Sequence, residues 1–493
     1  MPGATKTRFA PSPTGFLHLG NARVALFCAL LARHTQGIFL LRIEDTDQGR
    51  SEHQYTEALQ EDLLWMGLGW QEGPVVGGAQ GPYLQSERGE IYHRYFSQLE
   101  QDGLAYPCFC SEQELAITRK VQLAAGQAPR YPGTCAALTK DQIETRLAQG
   151  LKATLRFRVP RGETVEFEDL VRGQQRFVSD DIGDFIIRRA DGTPAFFFGN
   201  ALDDALMGVT HVLRGEDHLS NTPRQIVLLR ALSLRIPEYG HLSLILGSDG
   251  TPLSKRHGSH SVRELRDAGY FPAALNNYLA RLGHSYDNNN FMTLPELAAE
   301  FHIGKIGRSP ARFDESQLHY WQQQAIAHAH SHELWEWMGP AVHELVSAAQ
   351  RDEFIAAIRT NVFLPEHALL WARILFSDPV APGVLPPATL VRPCTSLNWM
   401  LGARQVIAEA GAGFFEQALT ALQEHPADFK ALAGKIKQAL KINGKALYQP
   451  LRAALTGELD GPEMARLLPL LGEERARKRL EAALTHCVSQ SEK

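Results

Sequence analysis

The sequence has few cysteines, no excess of cationic residues and no long apolar runs. Six cysteines among 493 residues are too few for a disulfide-stapled secreted scaffold. Their placement argues for a reducing cytoplasm and at most one metal site. Lys and Arg number 50 against 55 Asp and Glu, a formal charge of −5. A chain-wide basic footprint for nucleic acid is therefore missing, and any such contact must come from a local stripe. The longest apolar run near the start, Val24–Ala32, is less than half of the roughly 20 residues a spanning helix needs, so no membrane partner is expected. No cationic leader with a cleavage site is expected ahead of it. Repeats at solenoid periods and low-complexity tracts are also missing.

What is there is ordinary globular composition, 44% hydrophobic and 21% charged, which excludes disorder and collagen-like filaments. At about 150 residues per domain the length predicts roughly two to four domains. The opening reads as strand, loop, helix, strand. Thr5–Ala10 is a short extended run broken by Pro11, Pro13 and Gly15. A helix then carries Val24, Phe27, Cys28 and Leu31 on one face, with Asn21 as its cap and Gly37 as its stop. Ile38–Ile43 is a buried strand running into Glu44-Asp45-Thr46-Asp47. Two strands joined by a crossover helix begin an open α/β sheet, and such sheets bind ligands at the carboxyl ends of their strands. Both Pro11–Asn21 and Glu44–Asp47 fall at that edge.

Two segments carry chemistry. Pro11-Ser12-Pro13-Thr14-Gly15-Phe16-Leu17-His18-Leu19-Gly20-Asn21 lies between strand and helix. Its glycines allow close backbone approach, and the helix start suits phosphate. His18 is placed to donate to a phosphate oxygen. Gly250-Thr251-Pro252-Leu253-Ser254-Lys255-Arg256-His257-Gly258 has glycines at both ends, a hydroxyl and two adjacent cations. A loop of this kind neutralises charge developing on a leaving pyrophosphate. Each segment alone has a plainer reading, a stiff turn for the first and a solvated basic turn for the second.

Together they resemble the paired His-Ile-Gly-His-like and Lys-Met-Ser-Lys-like signatures of class I aminoacyl-tRNA synthetases. The wider pattern is Arg8 through Gly15, Leu41 through Asp47, Gly81-Pro82-Tyr83, Gln85-Ser86-Glu87-Arg88, Leu206 through His218 and Leu253 through Arg256. It is similar to the bacterial glutamyl-tRNA synthetases over residues 5 to about 320, and again at Pro450–Gly457. The resemblance implies an α/β Rossmann-type class I catalytic domain with an inserted α+β domain, followed by an all-α anticodon-binding domain. The boundaries it implies are a first catalytic half at 1–82, an inserted acceptor-binding domain at 83–193, a second catalytic half at 194–249, a stem-contact region at 250–330 and a helical region at 331–493, the last split near 395–400.

The activity so implied joins L-glutamate to ATP as an adenylate and passes the acyl group to the terminal ribose of tRNA(Glu), with tRNA(Gln) as a second candidate acceptor. Activation in this family typically waits for tRNA. ATP with Mg2+ would be used, by a cytoplasmic monomer. The implied glutamate contacts are Arg8, Ala10, Ser12, Glu44, Phe196, Asn200 and Arg214. The phosphate-handling and catalytic groups are His18, Gly20, Ser254, Lys255 and Arg256, and Asp217 lies near the ATP ribose. The chemistry suits these types, because a guanidinium pairs bidentately with a carboxylate. The substrate carboxylate is itself the nucleophile, so positioning and charge stabilisation do the work. One position departs from the family pattern: Phe196 stands where Tyr is usual, which keeps the ring and loses the hydroxyl.

Relatives with zinc use a Cys-x-Cys pair, a later Cys and a fourth ligand. Cys108, Cys110 and Cys135 match, Ala137 stands where many carry His, and Tyr131 has the spacing used by a tRNA-modifying branch. A closed zinc site and three free, partly buried thiols are equal readings. Lys305–Arg312 and the lysines at 430, 435, 437, 441 and 445 are candidate phosphate contacts, although a charge run is more often a solvated face. Two rivals share the pattern. A glutamyl-queuosine tRNA-modifying enzyme has the same site but lacks a helical half like residues 331–493. A non-catalytic or altered-specificity tRNA-binding paralogue would have lost site residues that are intact here.

Overall fold

A computed structural model describes residues 4–46, 53–253, 260–377 and 401–491. The expected split near 395–400 lies outside the described residues. The chain divides into two compact units, one of residues 1–267 and 272–318 and the other of 268–271 and 319–493.

The first unit begins as the sequence pattern predicts. Strand β1 (Lys6–Phe9), helix α1 (Leu19–His34) and strand β2 (Ile38–Leu41) form a crossover, with β1 and β2 parallel and Arg8 opposite Leu40. α1 is apolar nearly all round, and Leu26, Cys28 and Leu30 are fully buried, as a helix packed on a sheet must be. Gly37 closes the turn into β2, where an added Cβ would fall 2.0 Å from the Thr5 carbonyl oxygen. Only glycine fits there. The cap differs from the sequence reading. His18, in extended conformation, accepts from the Asn21 amide through its side chain, so Asn21 is inside the first turn and the imidazole is the cap.

Helices α2 (His53–Trp65) and α3 (Gly89–Gln101) lead to strand β3 (Ala105–Cys108), helices α4 (Glu112–Ala124) and α5 (Lys140–Ala148), and strands β4 (Thr154–Phe157), β5 (Thr164–Asp169) and β6 (Gly173–Val178). The short helix α6 (Ser179–Ile182), strand β7 (Phe185–Arg188), helix α7 (Phe196–Leu206), strand β8 (His211–Gly215), helix α8 (Thr222–Ala231), strand β9 (Glu238–Leu242), strand β10 (Ile245–Leu246) and helix α9 (Val262–Ala268) follow. The main sheet is six-stranded in the order β2-β1-β8-β9-β5-β6, and β3, β4 and β7 make a separate three-stranded sheet. The inserted stretch thus divides its strands between two sheets: the β5–β6 hairpin extends the main one through a parallel contact of β5 with β9. β1 has β2 on one side and β8 on the other, which makes its carboxyl end the switch point where ligands bind.

The second unit is helical among the described residues. Its helices include Ser331–Met338, Pro365–Phe376, Ala412–Glu424, Phe429–Leu440, Lys445–Thr456 and Glu473–Ser491. They share one apolar core containing Phe354, Trp371, Phe415, Ile436, Leu451 and Leu480. No described helix is long and apolar enough to cross a membrane.

Asp62 on α2 is buried with neither carboxylate oxygen hydrogen-bonded among the described residues, and its ion-pair partner Arg266 on α9 is 3.5 Å away. Burial pushes its pKa up to about 6, outweighing Arg266. A folded pKa above the unfolded value means that the native state holds the proton longer, so the penalty grows as pH rises through that window and is complete above it. We expect Asp62→Asn to raise unfolding stability at pH 7 by about 1–3 kcal/mol and to leave it unchanged near pH 4. Urea unfolding at the two pH values checks this, and an equal gain at both would contradict it.

Candidate active site

The carboxyl ends of β1, β2 and β8 and the start of α7 bring the matched residues together. Arg8 leaves β1 and donates through Nε to Asp204, 3.1 and 3.3 Å from its two carboxylate oxygens, and through Nη1 to the Leu213 carbonyl. Arg42, just past β2, donates through Nη1 to Asp204 Oδ1 at 2.7 Å and through Nη2 to Glu44 Oε1 at 3.0 Å. Asp203 takes Arg88 Nε at 2.7 Å, Tyr92 Oη at 2.7 Å and Gln85 Nε2 at 2.8 Å. All of these charged side chains are buried. Such charges persist out of water only when paired and hydrogen-bonded. Burial pushes Glu44 above the ordinary carboxylate range, against the pull of Arg42 and Asn200. Burial acts the same way on Asp204, but Arg8 and Arg42 outweigh it and hold its pKa low.

From Glu44 a directional chain of hydrogen bonds runs across the site. Asn200 Nδ2 donates to Glu44 Oε1 at 2.6 Å, Gln225 Nε2 donates to Asn200 Oδ1 at 3.0 Å, and Arg214 Nη2 donates to Gln225 Oε1 at 2.8 Å. Glu44 as a carboxylate only accepts and Arg214 only donates, so both amides between them have fixed orientations. Arg214 also lies over the Tyr239 ring, 5.3 Å from its centroid. Burial lowers its pKa to about 10, so it stays charged at neutral pH. Its partner is not the neighbouring Glu216, which pairs with Arg172.

His18 stands at the head of α1. Its Nδ1 accepts the Asn21 amide at 3.3 Å, which leaves the ring proton on Nε2. The residue as a whole is exposed, yet the protein around its imidazole disfavours the charged ring and lowers its pKa. Gly20 makes room for it: an added Cβ would come within 3.2 Å of two ring atoms. Ser12 is exposed and Ala10 is half-buried at the end of β1. Asp217 is exposed after β8, with its carboxylate folded over Gly215, where a Cβ would fall 2.3 Å from Oδ1. Phe196 stacks on His218 at 5.5 Å with an interplanar angle of 28°. The ring thus retains an aromatic partner without a hydroxyl.

Ser254, Lys255 and Arg256 lie outside the described residues, but both flanks of their loop are placed. Leu253 donates to the Ile245 carbonyl at 2.9 Å, and Gly250 adopts a left-handed φ of 77° in the turn before it. On the return side, Ser261 bridges to His18, and the Val262 amide donates to the Leu17 carbonyl at 2.8 Å. Ser261 then caps α9 in a reciprocal arrangement with Glu264. Ser261 and Val262 are therefore held against the backbone of Leu17 and His18.

Away from this network, the Cys108, Cys110 and Cys135 sulfurs lie within 4.8 Å of one another. Tyr131 Oη joins them, 3.3 Å from Cys108 Sγ and 3.5 Å from Cys110 Sγ. Arg156 covers the Tyr131 ring at 3.8 Å. Three soft donors with one phenolic oxygen fit a four-coordinate zinc. Of the basic residues expected to meet RNA, Lys305 pairs with Asp287, Arg308 Nε donates to the Val171 carbonyl and Lys435 pairs with Glu424. Lys430, Lys437, Lys441 and Lys445 are exposed.

Several site groups carry no motif signal of their own: Asp203, Asp204, Gln225, Thr222, His241 and Asp169. The one local clue is the acidic pair Asp203-Asp204 inside the otherwise apolar helix Phe196–Leu206.

Residues 4–320 match the family described as tRNA synthetases class I (E and Q), catalytic domain, and residues 405–484 match an anticodon binding domain. The chain is 59% identical over 490 residues to glutamate–tRNA ligase 2 of Nitrosococcus oceani, covering 99% of each. It is 53% identical over 485 residues to glutamate–tRNA ligase 2 of Alkalilimnicola ehrlichii, covering 98% of each. The crystal structure of a glutamate tRNA ligase from Elizabethkingia meningosepticum, in complex with its amino acid, is similar with a TM-score of 0.85 at 28% identity. That match covers 98% of this chain and 99% of the other.

Asp204 is the carboxylate shared by Arg8 and Arg42. Asp204→Asn takes from buried Arg8 its ion-pair partner among the described residues and leaves Arg42 to Glu44, and a loss of about 3–5 kcal/mol is expected. Chemical denaturation of the full chain measures it. A loss under about 1 kcal/mol, the worth of an exposed pair, would contradict the network.

Proposed function

The chain belongs to the class I tRNA synthetases of the glutamate and glutamine type, and from that premise we infer that it acts as a glutamate–tRNA ligase through the cleft at the switch point of its main sheet. The observation that carries this reading is the convergence of buried, paired cations and acceptors at the carboxyl ends of β1, β2 and β8. Arg8 Nη2 and Arg214 Nη1 have no hydrogen-bond partner among the described residues, while the other nitrogens of both guanidiniums are engaged. These two donors suit the two carboxylates of glutamate. The bonds to Glu44 both fall on Oε1, which leaves Oε2 for the α-ammonium. Asn200 braces Glu44, and Ala10, Ser12 and Phe196 complete the proposed amino-acid contacts.

The reaction needs no enzyme nucleophile. The α-carboxylate of glutamate attacks the α-phosphorus of ATP, and pyrophosphate leaves. A terminal ribose hydroxyl of tRNA then attacks the acyl carbon, and AMP leaves. His18 serves the first step as a neutral imidazole. With Nδ1 occupied by the Asn21 amide, its Nε2–H donates to a phosphate oxygen in the transition state. Gly20 keeps that ring in place, and the start of α1 adds the positive end of its dipole. Lys255, with Ser254 and Arg256, is proposed to neutralise the leaving pyrophosphate, and Asp217 to meet the ribose. Mg2+ accompanies ATP as the counter-ion of its triphosphate.

The acceptor is tRNA(Glu), with tRNA(Gln) as the second candidate. The five-part division by residue and a cytoplasmic monomer complete the proposal, the compartment resting on the cysteine pattern. The test is charging of purified tRNA(Glu) and tRNA(Gln) with labelled glutamate, alongside ATP–pyrophosphate exchange with and without tRNA. We expect tRNA(Glu) to be charged, exchange to require tRNA, and His18→Ala and Lys255→Ala each to lower kcat at least about 100-fold. Exchange without tRNA would count against glutamate as the substrate. Full activity in both variants would remove the mechanism.

We further propose that Cys108, Cys110, Cys135 and Tyr131 hold a structural zinc. The metal would tie β3 to the segment after α4 and would take no part in the chemistry. About one zinc per chain is expected by elemental analysis of protein purified without chelator, falling severalfold in Cys110→Ser. Metal-free protein with an unchanged melting temperature after chelation would leave three free thiols as the correct reading.

A further inference from the structure

Three neighbouring strands of the main sheet, β8, β9 and β5, carry Arg214, His241 and Asp169 in a row. Arg214 stands opposite His241 in the β8–β9 register. Arg214 Nε donates to His241 Nε2 at 3.1 Å, and His241 Nδ1 lies 2.5 Å from Asp169 Oδ2. The other Asp169 oxygen accepts the backbone amides of Val171, Arg172 and His241 at 3.0, 2.8 and 3.2 Å. All three side chains are buried.

The proton positions follow from these partners. A guanidinium nitrogen only donates, so His241 Nε2 must be bare. The single proton of the neutral ring is then on Nδ1, where Asp169 accepts it. Thr222 Oγ1, 3.1 Å from Nε2, fits the same assignment, since it accepts from Arg214 Nη2 at 2.7 Å and has its own proton to give. Asp169 therefore selects the tautomer, and the tautomer supplies the acceptor that holds Arg214 Nε. Gln225 and Thr222 hold Nη2. With two nitrogens tied, the guanidinium plane is set, and the third, Nη1, is buried without a protein partner among the described residues.

We propose that His241, oriented by Asp169, is a positioning residue for amino-acid selection: it locks the Arg214 guanidinium so that Nη1 meets a carboxylate of the substrate. This rests on the reading of Arg214 as a glutamate contact. The lock matters because a guanidinium free to rotate would swing Nη1 away from the substrate carboxylate and admit a neutral side chain more easily.

The test is steady-state charging by the full chain, with KM measured separately for glutamate and for ATP in Arg214→Ala, His241→Leu, His241→Gln, His241→Asn and Asp169→Asn. His241→Leu removes the acceptor and should raise KM for glutamate about tenfold or more, leaving KM for ATP within about twofold. Asp169→Asn donates to Nδ1, moves the ring proton to Nε2 against Arg214 Nε–H, and should raise KM for glutamate similarly. His241→Gln places an amide oxygen near the Nε2 position and should restore KM, whereas the shorter Asn should not. KM for glutamate unchanged in His241→Leu and Asp169→Asn, while Arg214→Ala raises it, overturns the proposal. An unchanged KM in Arg214→Ala instead overturns the reading beneath it. If the Leu variant does not fold, the Gln and Asn pair decides: equal KM in the two overturns the lock, and a higher KM in Asn supports it.

Discussion

The site depends on charge that has been taken out of water. Arg8, Arg42, Arg88 and Arg214 are buried beside Asp203, Asp204 and Glu44 at the carboxyl end of one sheet. None of these groups survives there alone, so each side chain is held by the need to satisfy another. Asp204 is claimed by both Arg8 and Arg42, and Arg42 is claimed by both Asp204 and Glu44. A network so constrained has few alternative arrangements. The donors left over are thereby aimed, and aimed donors are what an acidic amino acid requires.

The same economy extends along the hydrogen-bond chain from Glu44 through Asn200 and Gln225 to Arg214 and on to His241 and Asp169. A carboxylate at each end can only accept, and a guanidinium in the middle can only donate. Every amide and the imidazole between them therefore has one orientation. Rigidity here comes from polarity, and these side chains are buried, where few competing partners are available. The region around His18 is built differently. There the helix start, its capping imidazole and the head of α9 are tied by backbone contacts, Leu17 with Val262 and His18 with Ser261.

Much of this was legible in the linear chain. The strand–helix–strand opening, the break at Pro11 and Pro13 and the placing of Glu44 past a buried strand follow from local pattern, because periodicity and turn chemistry are local properties. The cap of α1 was misplaced by three residues. Asn is a good cap in isolation, but here the imidazole of His18 reaches the free amide first. The motif residues Arg8, Glu44, Asn200 and Arg214 do converge, yet their supports were silent in the sequence. Gln225 on α8, His241 on β9 and Asp169 on β5 are ordinary polar residues in segments with no repeat or spacing to mark them. The acidic pair Asp203-Asp204 was conspicuous only as two charges inside an apolar helix.

By itself, the order of residues determined which segments would be strands and helices, where the chain would break, and which groups had the chemistry to meet phosphate and carboxylate. Those properties depend on neighbours within a few bonds or one helical turn. Only the tertiary structure decided who pairs with whom. Arg214 meets His241 because β8 and β9 are parallel and in register, and Asp169 reaches His241 because a hairpin from the inserted stretch joins the main sheet. Register and strand order are set by burial across the whole sheet, and no local segment contains that information.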